Sequence, residues 1–201
     1  MSGEIIRTFS SPGTGPTGLA WDGKHLWIAD HGSGKAYLVT VNGVEIKSFV
    51  MPAGIRTGLA HDGKYLWLSD RANDRIRQLT INGIEIRSFA SPGGDPTGIA
   101  WDGKHLWVCD ITADKIYQIN LDGTIIRSIT APTSTPYGLA HDGKHLWNGG
   151  YSDGRTYQIG INGAVMKSFA APTTTIAGMT LDGKHIWLSD YSSKTIYCIR
   201  P

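Results

Sequence analysis

The sequence lacks several features that would point to a particular class of protein. It has no run of about 18 apolar residues, so it predicts no transmembrane helix. Its charge is almost balanced, with 19 Lys and Arg against 17 Asp and Glu, which gives no reason to expect a nucleic-acid or membrane partner. The first ten residues, MSGEIIRTFS, lack the basic and apolar regions of a signal peptide.

Cysteine and helical periodicity are also scarce or absent. The chain has 2 cysteines, Cys109 and Cys198, at different positions of the repeat described below, and they do not suggest a disulfide pair. This cysteine usage leaves the cellular location open and favours the cytoplasm. No segment places apolar residues at the period of an α-helix, so we expect no helix.

What the sequence does contain is one motif repeated along its whole length. Asp-Gly-Lys recurs with a spacing of 40 residues, at 22–24, 62–64, 102–104, 142–144 and 182–184. A second turn, Asn-Gly or Asp-Gly, recurs with the same spacing, at 42–43, 82–83, 122–123 and 162–163. Copies of one supersecondary unit bury their apolar faces against each other, so we expect residues 1–201 to form a single domain.

One copy is predicted to form four short antiparallel strands. In the first copy the strands are expected at 17–21, 25–30, 35–41 and 44–50. The pairs Asp22-Gly23 and Asn42-Gly43 are predicted as type I′ hairpin turns, since these residues tolerate positive φ angles. Four-stranded units of about 40 residues are typical of propeller blades. The sequence therefore predicts an all-β, five-bladed β-propeller.

The two ends of the chain predict how the ring closes. The last copy stops after its third strand, and residues 2–10 have the pattern of a fourth strand, with Ser2-Gly3 in the position of the second turn. We expect residues 2–10 to complete the fifth blade, because this pairing removes a free sheet edge. Five equivalent tryptophans are expected to pack between the blades: Trp27, Trp67, Trp107, Trp147 and Trp187.

The segment PTGIAWDGKHLWVCD (96–110) and its copies resemble a broad group of propeller repeats. The shared pattern is Pro-x-Gly-Leu-Ala, a turn, Leu-Trp-x-x-Asp, and then Ile-Tyr-x-Ile before a turn glycine. This group includes NHL repeats, the SMP-30 and gluconolactonase family, YncE-like proteins and virginiamycin B lyase. The chain is also similar to plant-type glutaminyl cyclotransferases in its five predicted blades. The resemblance implies the fold; since the matching residues build blades, it implies no single activity.

Residues that differ between the copies are better candidates for a functional site than residues that recur in all five. A structural turn is needed in every blade, whereas a functional site needs to occur only once. The crossings and loops at one mouth of the channel contribute Arg56, Asp95, Tyr137, Arg71, Tyr151, Asp153 and Tyr191, together with His31 and Asp74. The ends of the innermost strands contribute Trp21, His61, Trp101 and His141, which are expected at a channel mouth. In blade 4, Gly149 and Gly150 are expected to open space for a ligand.

Two classes of function remain open. The glutamates Glu4, Glu45 and Glu85 all fall on the predicted outermost strand, whereas resemblance to the lactonases and cyclotransferases implies a glutamate near the axis. We therefore favour a monomeric, non-catalytic module that binds a protein, peptide or small molecule and needs no cofactor. The alternative is a lyase, lactonase or cyclotransferase with its site at the channel mouth.

Two further possibilities concern the channel and the origin of the chain. A divalent ion in the central channel is an alternative to the absence of a cofactor. Four of the five Asp-Gly-Lys turns are followed by a histidine and the second by Tyr65, but these histidines are expected in separate blades, too far apart to bind one metal. The invariant repeat length fits an engineered or symmetrised scaffold as well as recent natural amplification.

Overall fold

Twenty strands in five antiparallel sheets make up the fold. The computed structural model describes residues 3–201, and each sheet has four strands. The innermost strand of each sheet lies beside that of the next, and the last lies beside the first, which closes a ring of five blades. Residues 3–201 contain no helix, and hence none long and apolar enough to cross a membrane. The prediction of an all-β, five-bladed propeller is confirmed.

The strands are numbered along the chain from β1 (Ile5–Ser10). Blade 1 contains β2 (Pro16–Trp21), β3 (Leu26–Asp30), β4 (Lys35–Val39) and β5 (Glu45–Val50). Blade 2 contains β6 (Arg56–His61), β7 (Leu66–Asp70), β8 (Arg75–Leu79) and β9 (Glu85–Ala90). Blade 3 contains β10 (Pro96–Trp101), β11 (Leu106–Asp110), β12 (Lys115–Ile119) and β13 (Ile125–Thr130). Blade 4 contains β14 (Pro136–His141), β15 (Leu146–Gly150), β16 (Arg155–Ile159) and β17 (Val165–Ala170).

Blade 5 is assembled from both ends of the described chain. Its sheet contains β18 (Ile176–Leu181), β19 (Ile186–Asp190), β20 (Thr195–Ile199) and β1. The Gly3 N–H donates to the Arg200 carbonyl over 2.8 Å, as the Gly43 N–H donates to the Thr40 carbonyl over 2.9 Å in blade 1. The N-terminal strand therefore completes the fifth blade as expected, although Ser2 lies outside the described residues.

The turn containing Asp-Gly-Lys differs from the predicted type I′ turn. The Asp22 N–H donates to the His25 carbonyl over 3.1 Å, so Gly23 and Lys24 form the tip of the hairpin. Only Gly23 has a positive φ, of 99°, which is the pattern of a type II′ turn. Asp22 instead uses its carboxylate: Oδ1 accepts the N–H groups of Lys24 at 2.8 Å and His25 at 2.7 Å.

The turn containing Asn42-Gly43 also differs from the predicted type I′ turn. The Thr40 carbonyl accepts the Gly43 N–H, and the Thr40 N–H donates to the Val44 carbonyl, both at 2.9 Å. These two bonds enclose a loop of three residues. Gly43 has a φ of 82° and Asn42 does not have a positive φ, so this is a type I turn followed by a glycine bulge. The bulge shifts the register of the two strands next to Val39.

The tryptophans pack between blades. Trp27 contacts Leu59, Leu66 and Leu68 of blade 2, and Trp187 of blade 5 contacts blade 1 in the same way. All five indoles are at most 2 % exposed. The turn aspartate accepts the indole N–H in blades 2 to 5, as in the 2.7 Å bond from Trp67 to Asp62 Oδ2. One carboxylate thus fixes both the hairpin turn and the largest core side chain.

Glycine sets the distance between neighbouring innermost strands. A Cβ atom at Gly98 would lie closer than 3.0 Å to the Tyr137 carbonyl oxygen, and one at Gly178 would be as close to the Thr17 carbonyl oxygen. Innermost strands of non-adjacent blades also come within 8 Å, measured between Cα atoms. One apolar side chain from each blade lines the inner part of this narrow channel and is at most 2 % exposed: Leu19, Leu59, Ile99, Leu139 and Met179.

Replacing an axial glycine tests this close approach. We expect Gly98→Ala to lower the free energy of unfolding by about 3 kcal/mol, because the new methyl group would meet backbone on the next blade. Gly94→Ala is the matched control in the same blade, since nothing lies within 4 Å of its Cβ position. Chemical denaturation measures both, and equal stabilities would contradict this account of the axis.

Removing residues 1–10 tests ring closure. The deletion leaves the outer edge of β20 unpaired and uncovers Trp187, whose ring centroid lies 6.2 Å from that of Phe9. We expect the melting temperature to fall by at least about 10 °C and the protein to aggregate through the exposed edge. Thermal melting and sedimentation measure these effects, and an unshifted, cooperative melt would refute the role of β1.

A pair of point variants separates packing from chain length. Phe169 packs on Trp147 at 6.3 Å in a continuous blade, as Phe9 packs on Trp187 in the closing blade. If β1 is as well anchored as an internal strand, Phe9→Ala and Phe169→Ala each lower the free energy of unfolding by about 2–3 kcal/mol. A much smaller effect at Phe9 would show that the closing strand is loosely held.

Candidate functional site

One repeated hydrogen bond places a variable side chain from each blade at the same end of the channel. The first residue after the second strand of a blade donates its N–H to the chain just before the innermost strand. Examples are His31 to the Gly15 carbonyl at 2.8 Å and Tyr151 to the Thr135 carbonyl at 2.9 Å. The residues in this position are His31, Arg71, Ile111, Tyr151 and Tyr191.

These loops and the adjoining crossings surround a cavity of about 220 Å³, here called the loop-side mouth. Its main lining residues are His31, Arg56, Arg71, Tyr137, Tyr151 and Tyr191, all of which were candidates from the sequence. The smaller lining residues Thr17, Ile55, Thr57 and Ala177 were missed, because nothing in the sequence distinguishes them from ordinary strand and crossing residues. The structure thus gathers residues from four blades into one site.

Arg71 organises one wall of the loop-side mouth. Its Nε donates to Asp95 Oδ1 at 2.7 Å and its Nη1 donates to Tyr137 Oη at 2.9 Å. Thr112 donates its hydroxyl to Asp95 Oδ2 at 2.5 Å. The bonds from Thr112 and Arg71 lower the pKa of Asp95, so its carboxylate is ionised and paired at neutral pH.

The cavity lining also includes a second guanidinium, that of Arg56, and the imidazole of His31. Arg56 donates from Nε to the Pro52 carbonyl at 2.8 Å and from Nη2 to the Met51 carbonyl at 3.2 Å. Burial lowers the pKa of Arg56, an effect that the nearby Asp70 carboxylate opposes. The Nδ1 atom of His31 is buried and has no hydrogen-bond partner within residues 3–201.

Aromatic rings complete the loop-side mouth. The centroids of Tyr137 and Tyr151 lie 4.8 Å apart with the rings inclined by 38°, a geometry in which aromatic pairs attract each other. Burial raises the pKa of both hydroxyl groups, so both tyrosines are neutral at pH 7. Tyr191 is 38 % exposed and forms the open rim. Together, these three rings contribute aromatic surface to a cavity that two guanidinium groups also line.

Asp153 and the blade 4 glycines do not belong to this cavity. Asp153 accepts the Arg155 N–H at 3.0 Å on Oδ1 and the Tyr157 hydroxyl at 2.9 Å on Oδ2. Its carboxylate fills the space where a side chain at Gly150 would begin, and Ile176 fills the corresponding space at Gly149. The expectation that these glycines open room for a ligand is wrong, because the protein's own side chains occupy it. Asp74 also lies outside the cavity lining and adopts a positive φ of 50°.

The other end of the channel, here called the turn-side mouth, has a different character. Trp21, His61, Trp101 and His141 surround a cavity of about 110 Å³ there. Each histidine accepts a backbone N–H on Nδ1 at 3.2 Å, so the neutral ring carries its proton on Nε2. Burial lowers the pKa of both His61 and His141, which favours this neutral form. Within residues 3–201, neither mouth gathers three metal-ligating side chains.

Comparison with known proteins relates the chain to propeller enzymes at the level of fold. No family model and no curated protein matches the sequence. A glutaminyl cyclase structure from Myxococcus xanthus has a TM-score of 0.84 at 14% identity, with 98% of this chain and 95% of that chain covered. A virginiamycin B lyase from Staphylococcus aureus has a TM-score of 0.55 at 21% identity, with 95% of this chain and 72% of that chain covered.

A streptogramin B lyase structure is similar in the same way, with a TM-score of 0.58 at 16% identity, and 100% of this chain and 86% of that chain covered. At such identities the likeness shows the fold and does not transfer an activity. The predicted resemblance to virginiamycin B lyase and to glutaminyl cyclases is confirmed as a resemblance of fold. The resemblance to NHL and SMP-30 proteins stays a prediction.

Proposed function

We propose that the protein is a binding module whose loop-side mouth takes a small ligand that carries a carboxylate and an aromatic or apolar group. The observation that supports this proposal is the meeting of two guanidinium groups and a tyrosine pair in one cavity of about 220 Å³. Such a cavity suits a ligand of amino-acid size, free or at the end of a peptide.

The charges of the mouth favour an anion. Arg56 and Arg71 both line the cavity, and Asp95 is already paired with Arg71 at 2.7 Å. Arg56 uses Nε and Nη2 for backbone carbonyls, and its Nη1 has no hydrogen-bond acceptor in the described part of the chain. Guanidinium groups bind carboxylates through charged hydrogen bonds that are stronger than neutral ones.

The position of the acids supports a non-catalytic role. Glu4 precedes β1, and Glu45 and Glu85 begin β5 and β9, so all three belong to the outermost part of a blade. Asp95, the acid next to the mouth, has a lowered pKa and no proton to donate at neutral pH. To act as a general acid at neutral pH, a carboxyl group needs a raised pKa. Burial of the carboxyl group without a cationic partner would raise it.

Binding of a matched pair of compounds tests the proposal. We expect N-acetyl-phenylalanine to bind at least about tenfold more tightly than its uncharged amide, because a charged hydrogen bond contributes about 1.5–3 kcal/mol. Arg56→Gln and Arg71→Gln should each remove this preference, whereas Arg155→Gln, outside the cavity, should keep it. Isothermal titration calorimetry measures the affinities, and equal binding of the acid and the amide would contradict the proposal.

An enzyme is the second candidate, and His31 is the observation that favours it. Its imidazole lines the mouth and its Nδ1 is without a partner in residues 3–201, so no hydrogen bond of that nitrogen ties it to the fold. A catalytically inactive histidine-to-alanine variant of the S. aureus virginiamycin B lyase, solved with quinupristin, has the same kind of fold (TM-score 0.54, 21% identity). Because that likeness is one of fold, it does not assign a role to His31.

Incubation with candidate substrates separates the two functions. As a binding module, the protein should leave both quinupristin and a peptide with N-terminal glutamine unchanged, as followed by mass spectrometry. His31→Ala should then alter neither result and should leave the fold intact, since Nδ1 of the imidazole has no hydrogen-bond partner in residues 3–201. Consumption of either compound that is lost in His31→Ala would replace the binding proposal with an enzymatic one.

A further inference from the structure

Three metal-ligating side chains converge in blade 5, away from both mouths of the channel. Asp182 follows β18, His185 precedes β19, and Cys198 lies in β20. One possible ligand atom from each residue lies within 4.8 Å of the other two, and this is the one such group of three in residues 3–201. The distance between Asp182 Oδ2 and His185 Nδ1 is 3.1 Å.

Blades 3 and 4 show a different group in this position. In blade 3 the equivalent residues are Asp102, His105 and Gln118. Gln118 Nε2 donates to Asp102 Oδ2 at 2.9 Å and lies 3.3 Å from His105 Nδ1, so one nitrogen atom sits between the carboxylate and the imidazole. Gln158 places its Nε2 atom in the same way in blade 4. The aspartate and histidine of these blades thus converge on a point that an atom already fills.

Blade 5 differs because cysteine replaces the glutamine. Cys198 lines a cavity of about 120 Å³ that reaches the surface beside Ile6, Arg7 and Val41. The carboxylate, imidazole and thiol all line this cavity. The substitution therefore removes the amide group, adds a sulfur ligand and leaves room beside the three ligands.

From this geometry we propose that Asp182, His185 and Cys198 form a binding site for Zn²⁺. Thiolate sulfur, imidazole nitrogen and carboxylate oxygen are the ligands that zinc takes in proteins. Three protein ligands leave a fourth position, which faces the cavity and is open to water. On binding, Cys198 loses its proton to solvent and forms a Zn–S bond, while His185 binds through Nδ1 and keeps its proton on Nε2.

The distances require only a small adjustment of the side chains. Zinc bonds of about 2.0–2.3 Å place tetrahedral ligand atoms about 3.3–3.8 Å apart. The three ligand atoms lie within 4.8 Å of one another, so rotations that move each atom by about 1 Å bring them to a common ion. The 3.1 Å between Asp182 and His185 widens slightly in the process.

Surrounding hydrogen bonds hold the carboxylate in place. Asp182 Oδ1 accepts the N–H groups of Lys184 at 2.9 Å and His185 at 2.8 Å, and Oδ2 accepts the indole N–H of Trp187 at 3.0 Å. Burial alone would raise the pKa of Asp182, but these bonds outweigh it and lower the pKa, so the ligand is ionised at neutral pH. Such outer contacts orient metal ligands and support affinity.

Among residues 3–201, Arg7 is the one Lys or Arg that lines the cavity, and its charge opposes a metal ion. Its guanidinium is engaged elsewhere, since Nη1 donates to Asn42 Oδ1 at 2.8 Å and to the Val41 carbonyl at 3.2 Å. Arg7 also faces Cys198 across the pairing of β1 with β20. The proposed ion therefore lies beside the seam where the N-terminal strand closes the ring.

Metal binding by the full chain tests the site. After treatment with a chelator, we expect the protein to bind one Zn²⁺ per chain by calorimetry, and Co²⁺ to give the absorption of a cobalt–thiolate bond. Cys198→Gln, which restores the residue of blades 3 and 4, should weaken binding at least about 100-fold and abolish that absorption. Its melting temperature without metal should stay unchanged, which separates a lost ligand from a damaged fold.

A gain of binding provides a second, independent test. Gln118→Cys creates the same three ligands in blade 3 and should raise the stoichiometry to two ions per chain. The other cysteine, Cys109, is buried with 0% exposure, so it should contribute no cobalt–thiolate absorption in Cys198→Gln. The proposal is overturned if the wild-type chain binds no Zn²⁺, or if Cys198→Gln binds it as tightly as the wild type.

Discussion

Backbone meets backbone around the axis of this propeller, and the rest of the structure depends on that contact. Each innermost strand approaches the next at a glycine, as at Gly98 and Gly178, where a β-carbon would collide with a carbonyl oxygen. This close approach leaves a narrow channel at the axis, and the distance between neighbouring blades increases away from it. The widening space between blades is then filled by large side chains, of which Trp27 and its equivalents are the largest. Small residues at the axis and large residues farther out are thus two results of one geometric requirement.

Most of the fold could be predicted because the sequence contains five copies of the same blade. The blade order, the strands and the closure by the N-terminal strand all follow from a spacing of 40 residues and from apolar patterning. The turn types were wrong because Asp-Gly fits two registers of a hairpin. Sequence alone does not show whether Asp22 lies at the tip or beside it. The register of β2 with β3 decides this, and it is set by packing across the whole blade.

The candidate site was predicted in part, and the gaps have physical causes. Arg71, Tyr137 and Tyr151 stood out because they break the symmetry of the repeat, and the structure places them together. Asp153 also breaks the symmetry of the repeat, but its carboxylate occupies the space that a side chain at position 150 would take, since that residue is a glycine. The blade 5 ligands carry no signal in the sequence, where Cys198 is one of two isolated cysteines and follows His185 without a recognised metal-binding spacing. Seeing the site requires knowing that Gln118 places an amide nitrogen between an aspartate and a histidine in another blade.

Five apolar side chains with almost no exposure, from Leu19 to Met179, lie between the two mouths of the channel. These side chains separate the loop-side mouth from the turn-side mouth. The guanidinium and tyrosine groups on one face and the imidazole and indole groups on the other line separate cavities that share no residue. Each face can therefore change its chemistry without disturbing the other, and any influence between the two has to travel through the blades.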